Sequence, residues 1–382
     1  MKKSLIALAV LAASGAAMAQ STVTLYGVVD ANVNATKNTV VAANATNTAL
    51  VTAGRPTQTG VGTGGQNGSR WGIRVKEDLG GGLAAVATIE AGLNADTGTS
   101  AQGGLAYGRQ VFVGLSNSLG TVSLGRQYSV YDDLHGLTSV QGNNDYDVSL
   151  GGIYNASNNA TNQGLLQTAR LDTPAGIAAR VTLANATLSG VGAWVGYANS
   201  RVDNSIKLQS ASFGGFSASA TYGFGENKNT TANSGDATYD VSAGLKYANG
   251  PVVVALAYQE TEFANATAGA NKLKLQNTLL GGSFDAGFAK FFANYNQAKF
   301  SGLDAADEYS LGASVPFGAL TLVGQYAYSK SDDLGKNQGF GVEAWYDLSK
   351  RTRAYTSYAQ TKKELLNDDS NSKFAVGIRH AF

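Results

Sequence analysis

The stretch Lys373-Phe-Ala-Val-Gly-Ile-Arg-His-Ala-Phe382 decides the fold. Phe374, Val376, Ile378, His380 and Phe382 fall on one face at a spacing of two, and Lys373, Ala375, Gly377, Arg379 and Ala381 fall on the other. The side chains of a β-strand alternate this way. One face is oily and the other is small or charged, so the strand divides an oily medium from a wet one. An uncovered terminal strand would be an open edge, which invites aggregation. Pairing it with the first strand closes a barrel and removes the edge.

The composition agrees with a long all-β chain. Glycine is 48 of 382 residues, well above the usual share of about 7%. Charged residues are 14%, against about 25% in an ordinary globular protein. There are only 4 prolines, as long strands require, because each proline loses a ladder donor. With 18 Tyr and 14 Phe there are enough aromatics for a girdle at a membrane surface. The absence of cysteine excludes disulfides and thiolate metal sites. A formal charge of +1 gives no reason to expect a nucleic-acid partner. No cofactor is expected: the glycine runs Gly62 to Gly65 and Gly80 to Gly82 lack the Lys-Ser/Thr of a phosphate loop. The acidic stretch Asn367-Asp-Asp-Ser370 reads as a solvated loop rather than a metal site.

Residues 1–19 read as a signal peptide: Lys2 and Lys3 form a basic start, Leu5 to Ala13 an apolar middle, and Ala17-Met-Ala19 a small-residue cleavage site. The apolar run is shorter than the roughly 20 residues that a spanning helix needs. Cleavage would leave 26 Lys and Arg against 27 Asp and Glu, a net charge of −1. If residues 20–382 lie in a membrane, they must form a closed barrel, since only helices and closed barrels satisfy every backbone group there.

The rest of the chain repeats the alternation. In Thr22 to Val33, Val23, Leu25, Gly27, Val29, Ala31 and Val33 share a face, with Val28 the misfit on the other. Residues 35–67 read as a long loop. Seven tight joints, such as Gly80–Gly82 and Asn117–Gly120, then alternate with eight longer polar stretches, of which 129–200 is by far the longest. That is the count for sixteen antiparallel strands with short turns at one end and longer loops at the other. An extra hairpin over Gly176 to Tyr197 would lie within the longest loop, or would raise the count to eighteen. Arg70, Arg74, Arg109, Glu343 and Arg379 sit opposite the oily face. A charge on a lipid face costs about 2–4 kcal/mol at mid-depth, so the charged face lines the lumen. Tyr328 and Tyr346, near strand ends, are candidate girdle residues.

Several blocks carry a family likeness. They are Val23-Thr-Leu-Tyr-Gly-Val-Val-Asp-Ala31, Ser69-Arg-Trp-Gly72, Glu77-Asp-Leu-Gly-Gly-Gly-Leu83, Gly108-Arg-Gln-Val-Phe-Val-Gly-Leu-Ser116, Leu119-Gly-Thr-Val-Ser-Leu-Gly-Arg-Gln-Tyr128, Asn204-Ser-Ile206, Phe213-Gly-Gly-Phe216 and Gly377-Ile-Arg-His-Ala-Phe382. In these blocks, and in their order, the chain resembles the trimeric general porins of Gram-negative bacteria, nearest the β-proteobacterial and neisserial branch. The resemblance implies a sixteen-stranded transmembrane β-barrel in the outer membrane, with both termini periplasmic. It also implies a homotrimer among outer-membrane lipid and lipopolysaccharide, passing small hydrophilic solutes and ions by passive diffusion. In such proteins the third outer loop folds into the pore, and its carboxylates face basic residues on the opposite wall. Carried onto this chain, the wall residues are Arg70, Arg109 and Arg201, and the loop carboxylates come from Asp132, Asp133, Asp145 and Asp147. Arg74 is inward by parity alone. The Pro-Glu-Phe-Gly-Gly segment of the enterobacterial loop is missing, which leaves open which aspartate lines the narrowing.

A narrow wet passage ringed by fixed charge sorts solutes by sign and size. The inward arginines lead to an expected mild preference for anions. Two other functions remain in view. A channel specific for sugars or organic anions would need an aromatic path along the lumen, whereas most aromatics fall on the oily face. An outer-membrane barrel enzyme would need a histidine in a nucleophile–base pair. The chain has only His135, beside Asp132 and Asp133, and His380, on the oily side of the last strand.

Overall fold

The computed structural model describes residues 21–43, 50–142, 144–148, 200–225, 238–263, 272–302, 304–332, 335–364 and 370–382. The expected signal peptide and the expected hairpin over 176–197 lie outside these residues.

The first strand, β1 (Thr22–Lys37), shows why the alternating pattern builds a wall. Val23, Leu25, Val29 and Val33 are exposed on its outer side, while Val28 and Asp30 are buried on the inner side. Thus Val28, the misfit of the pattern, points inward. Next come a short hairpin, β2 (Val40–Ala43) with β3 (Leu50–Gly54), and then β4 (Thr57–Thr63) and β5 (Arg70–Gly80). The loop expected over 35–67 is therefore largely strand. Polar residues with no oily face suffice for β4, because its backbone pairs with β1 from Ala31↔Thr63 to Lys37↔Thr57. The inner half of β1 pairs with β5 instead, from Thr22↔Lys76 to Val28↔Arg70. Strands β4 and β5 thus fill one position in the wall, broken by residues 64–69.

The wall continues through β6 (Leu83–Gly92), β7 (Gln110–Asn117) and β8 (Gly120–Tyr128). A helix, α1 (Val130–Thr138), follows. After it come β9 (Arg201–Ser210), β10 (Phe216–Phe224), β11 (Tyr239–Asn249), β12 (Val252–Phe263), β13 (Leu273–Asp285) and β14 (Lys290–Phe300). The last five are β15 (Ala306–Phe317), β16 (Leu320–Ser331), β17 (Gly335–Asp347), β18 (Thr352–Lys363) and β19 (Ser370–Ala381). Each pairs antiparallel with the next, and β19 returns to β1 from Val28↔Ala381 to Lys37↔Ser372. The Gly27 N–H donates to the Phe382 carbonyl and the Phe382 N–H to that of Gly27, both at 3.0 Å. The result is a closed antiparallel barrel of sixteen strand positions.

Among the described residues no helix is long and apolar enough to cross a membrane; the strands do so. Phe374, Val376 and Ile378 of β19 are about half exposed, at 47%, 53% and 51%, whereas Ala375 between them is fully buried. The outer surface carries two aromatic belts. Phe216, Phe284, Phe291, Phe317 and Tyr346 mark the short-turn end, and Tyr222, Tyr258, Tyr309, Tyr326 and Phe340 the long-loop end. Amphipathic rings settle at both boundaries of a bilayer in this way.

Helix α1 begins the third long loop, and it sits inside the barrel. Ser129 caps it, its hydroxyl accepting from the Asp132 N–H at 3.1 Å. Val130, Tyr131 and Leu134 pack on the inward Ala255, Ala257 and Leu279, a small apolar core in an otherwise polar bore. Tyr146 and Val148 pack further round, on Ala327, Ala359 and Ala375. Alternate strands supply a glycine beneath the loop. A Cβ added at Gly281 would lie 2.6 Å from Thr138 Oγ1, and one at Gly312 2.6 Å from Val140 Cγ1. At Gly244 and Gly341 it would lie 3.0 Å from Val130 Cγ1 and 2.9 Å from Gln141 Oε1. These four inward glycines, on β11, β13, β15 and β17, form the seat of the loop.

Candidate constriction of the bore

Arg70 of β5, Glu90 of β6, Arg109 just before β7 and Arg201 of β9 are brought together by the barrel at the long-loop side of the bore. Glu90 of β6 is 3% exposed and lies among basic groups. Arg109 Nε donates to its Oε1 at 2.8 Å, Tyr26 OH donates to Oε2 at 2.8 Å, and Arg70 Nε stands 3.7 Å from Oε2. Tyr128, at the end of β8, joins two more guanidiniums: its hydroxyl accepts from Arg109 Nη2 at 2.5 Å and from Arg201 Nη2 at 3.1 Å. The Arg201 guanidinium carbon also lies 4.7 Å from the centre of the Tyr128 ring. Three arginines and one glutamate therefore form a single cluster around Tyr128.

The described start of the third loop lies across from this cluster. Lys207 Nζ of β9 ties it down, donating to the Tyr128 carbonyl at 2.9 Å and to Asp133 Oδ2 at 2.5 Å. Farther along, Glu343 of β17 is 4% exposed and accepts four hydrogen bonds. Gln141 Nε2 and Asn144 Nδ2 of the loop reach Oε1 at 2.6 and 2.8 Å, while Trp345 Nε1 and Ser357 Oγ of the wall reach Oε2 at 2.8 and 2.9 Å. A buried carboxylate is stable only when so satisfied. Asp30 serves residues 64–69 in the same way: it is fully buried, and it accepts from the Gln66 and Asn67 N–H groups and from Tyr355 OH.

Between wall and loop lies a cavity of about 1070 Å³. Of the residues singled out from the sequence, Arg70, Arg109, Arg201, Asp132, Asp133 and Asp145 line it. Arg74 does not; its guanidinium stacks 4.0 Å over the Tyr26 ring. Asp147 does not either, being buried where it accepts from Ser139 Oγ at 2.6 Å. Arg126, ion-paired with Asp203, adds to the lining. Sequence reasoning missed Glu90, Tyr128 and Arg126. Glu90 was within reach, since it shares the inward parity of Thr88 in β6. His135 is fully buried, with its ring parallel to that of Tyr131 at 6.3 Å, and His380 is outside, bonded through Nδ1 to Thr352 Oγ1 at 2.9 Å.

The two carboxylate pins lead to a prediction about the loop alone. Glu343→Ala leaves Gln141 and Asn144 without their acceptor. Each charge-assisted hydrogen bond is worth about 1.5–3 kcal/mol, so the loop should detach more often while the barrel stays closed. Open-channel current noise should rise severalfold while single-channel steps of an intact barrel persist. Noise equal to wild type would show that Glu343 does not hold the loop.

A closed barrel with an oily exterior, a charged bore and a loop narrowing it is a water-filled pore through a membrane. Comparison with known proteins gives the same answer. A family profile described as Gram-negative porin matches residues 5–365, and the chain belongs to that family. It is 32% identical to an outer membrane porin protein of Bordetella pertussis and 32% identical to outer membrane porin protein 32 of Delftia acidovorans, covering all of each. An anion-selective porin from Comamonas acidovorans superposes with a TM-score of 0.73 at 27% identity, covering 95% of this chain and 100% of that one. The protein is an outer-membrane porin, a diffusion channel for small hydrophilic solutes.

Proposed function

We propose that the pore prefers small anions, and that Arg70, Arg109 and Arg201 set the preference against Asp132, Asp133 and Asp145. The observation that carries this reading is the convergence of three guanidiniums on Tyr128 and Glu90 at the edge of the cavity. Low-dielectric walls focus such a field into the passage. The anion-selective porin from Comamonas, similar along nearly its whole length, supports the same sign. Arg74 and Asp147 are outside the selecting set.

The working form is a trimer set among outer-membrane lipids, with the short turns and both chain ends on the periplasmic side. Catalysis has no part in it: His135 is sealed against the wall and His380 faces outward. Reconstituted into a planar bilayer, the mature chain should give current steps in groups of three. In a tenfold KCl gradient its zero-current potential should carry the sign of chloride. A potassium-signed potential would refute the selectivity, and solitary steps would refute the trimer.

A further inference from the structure

The chain has two Asn-Gly pairs, Asn67-Gly68 and Asn249-Gly250. In such a pair the glycine nitrogen can reach the side-chain carbonyl carbon of the asparagine, because glycine has no Cβ in the way and its backbone turns freely. The first pair lies inside the bore. It belongs to residues 64–69, which join β4 to β5, and both of its members line the cavity between wall and loop.

The local hydrogen bonds leave the reacting groups open. Asp30 Oδ2 accepts from the N–H groups of Gln66 and Asn67, at 2.9 and 2.8 Å. The next N–H, that of Gly68, has no hydrogen-bond partner among the described residues, and Gly68 is exposed. The Asn67 amide is held by one neutral bond, from Nδ2 to the Gln66 carbonyl at 2.8 Å. A bond of that kind contributes little net stability beside water.

Cations stand beside the pair. Arg70 Nη1 donates to the Gly68 carbonyl at 2.9 Å, and a Cβ built on Gly68 would lie 3.1 Å from Arg109 Nη1. A glycine nitrogen that has lost its proton is anionic, and so is the oxygen of the adduct it forms. A positive charge a few ångströms away favours such charged forms. The nearby carboxylates are both engaged. Asp30 accepts from Tyr355 OH besides the two N–H groups, and Glu90 accepts from Arg109 and Tyr26. Asn249 is placed differently. It ends β11 as the register partner of Val252, and its Nδ2 donates to Tyr247 OH at 3.2 Å.

We propose that Asn67-Gly68 is a self-modifying site of the constriction, at which the folded channel slowly acquires a carboxylate and so loses chloride preference with age. The Gly68 nitrogen bonds to Asn67 Cγ, the Cγ–Nδ2 bond breaks, and ammonia leaves with the proton that the glycine nitrogen gave up. Water from the bore then opens the five-membered imide. Breaking the Cγ–N bond gives aspartate at 67, and breaking the other C–N bond gives isoaspartate. Nothing is oxidised or reduced, and either product adds one negative charge to the cavity beside Arg70 and Arg109. The site rests on the anion preference proposed above and adds a process that erodes it.

The test ages the full mature protein in detergent at about 37 °C in water enriched in oxygen-18, then digests it in ordinary water. Mass spectrometry reads the tryptic peptide that ends at Arg70. Conversion in the folded channel leaves that peptide about 3 Da heavier, and conversion during digestion only about 1 Da heavier. The 3 Da form should accumulate severalfold faster than the corresponding form of the peptide that contains Asn249. Channels from the same samples are compared in a tenfold KCl gradient. Complete conversion should lower chloride permeability and raise potassium permeability by about threefold each, the effect of one unit charge at about 7 Å. Freshly made N67D should shift in the same direction, and N67Q, whose longer side chain closes the ring poorly, should hold its fresh value through ageing. Absence of the 3 Da form, a rate no faster than at Asn249, an unmoved potential after conversion, or a drift in N67Q equal to that of wild type would each overturn the proposal. A potassium-signed potential in fresh wild type would instead sink the anion preference, and the isotope counts would still report the chemistry at Asn67.

Discussion

Removing Arg70 and Arg109 together should reverse the ion preference. At about 7 Å from the path of an ion, a unit charge in bulk-water dielectric is worth roughly 0.6 kcal/mol. Loss of two such charges should lower chloride permeability by about sevenfold and raise potassium permeability by about as much. The effect is enlarged because Glu90 loses its closest partner, the Arg109 guanidinium at 2.8 Å, and its charge then faces the cavity. Glu90→Gln should act in the opposite direction, raising chloride permeability and lowering potassium permeability by about threefold each. Arg74→Ala should change little, because that side chain stacks on Tyr26 outside the cavity. Zero-current potentials in a tenfold KCl gradient report all of these. The differences should shrink at 1 M salt, where the screening length falls to about 3 Å. A Glu90→Gln channel with lowered chloride preference would contradict the placement of the cluster.

The second large effect concerns the seat of the loop. The G244A/G281A/G312A variant places a methyl group in each of three contacts where the neighbouring loop atom is 3.0 Å away or less. Overpacking costs about 1–3 kcal/mol at each position, so the docked loop should lose several kcal/mol in all. Backbone amides of Val130 to Val140 should then exchange with deuterium on the order of 100-fold faster, following a local opening equilibrium. Amides in β17 to β19 should keep their protection, since the added methyl groups meet atoms of the loop and of β12, β14 and β16 only. Unchanged exchange over 130–140 would show that the glycines do not shape the seat. A general loss of protection would show that the loop supports the barrel.

The wall of the barrel was legible because membrane and water impose opposite demands on alternate residues. Phe374, Val376 and Ile378 announce their side with no other information, and counting turns gave the number of strands. The pattern is silent over 57–63, where both faces are wet. There pairing with β1 makes the strand, and backbone partners leave no periodic trace in side chains. The interior was harder to read. Parity placed Glu343 inward correctly, yet it could not reveal that the loop covers it. Asp147 is hidden for the same reason. A trace was nonetheless present: inward positions of a wet bore should be polar, whereas Gly244, Ala255, Ala257, Gly281, Gly312 and Gly341 are small. Small residues on the wet side mark ground on which something else is packed. The cluster at Glu90 joins arginines up to 131 positions apart, from Arg70 to Arg201, which only closure brings together.

The junction of Gly27 with Phe382 has a consequence for biosynthesis. Those two residues are the first and last to be joined in the ring, and every shorter nascent chain carries two unsatisfied strand borders. No N-terminal portion can commit to the bilayer on its own. The polypeptide must be kept apart from its siblings until translation has delivered β19.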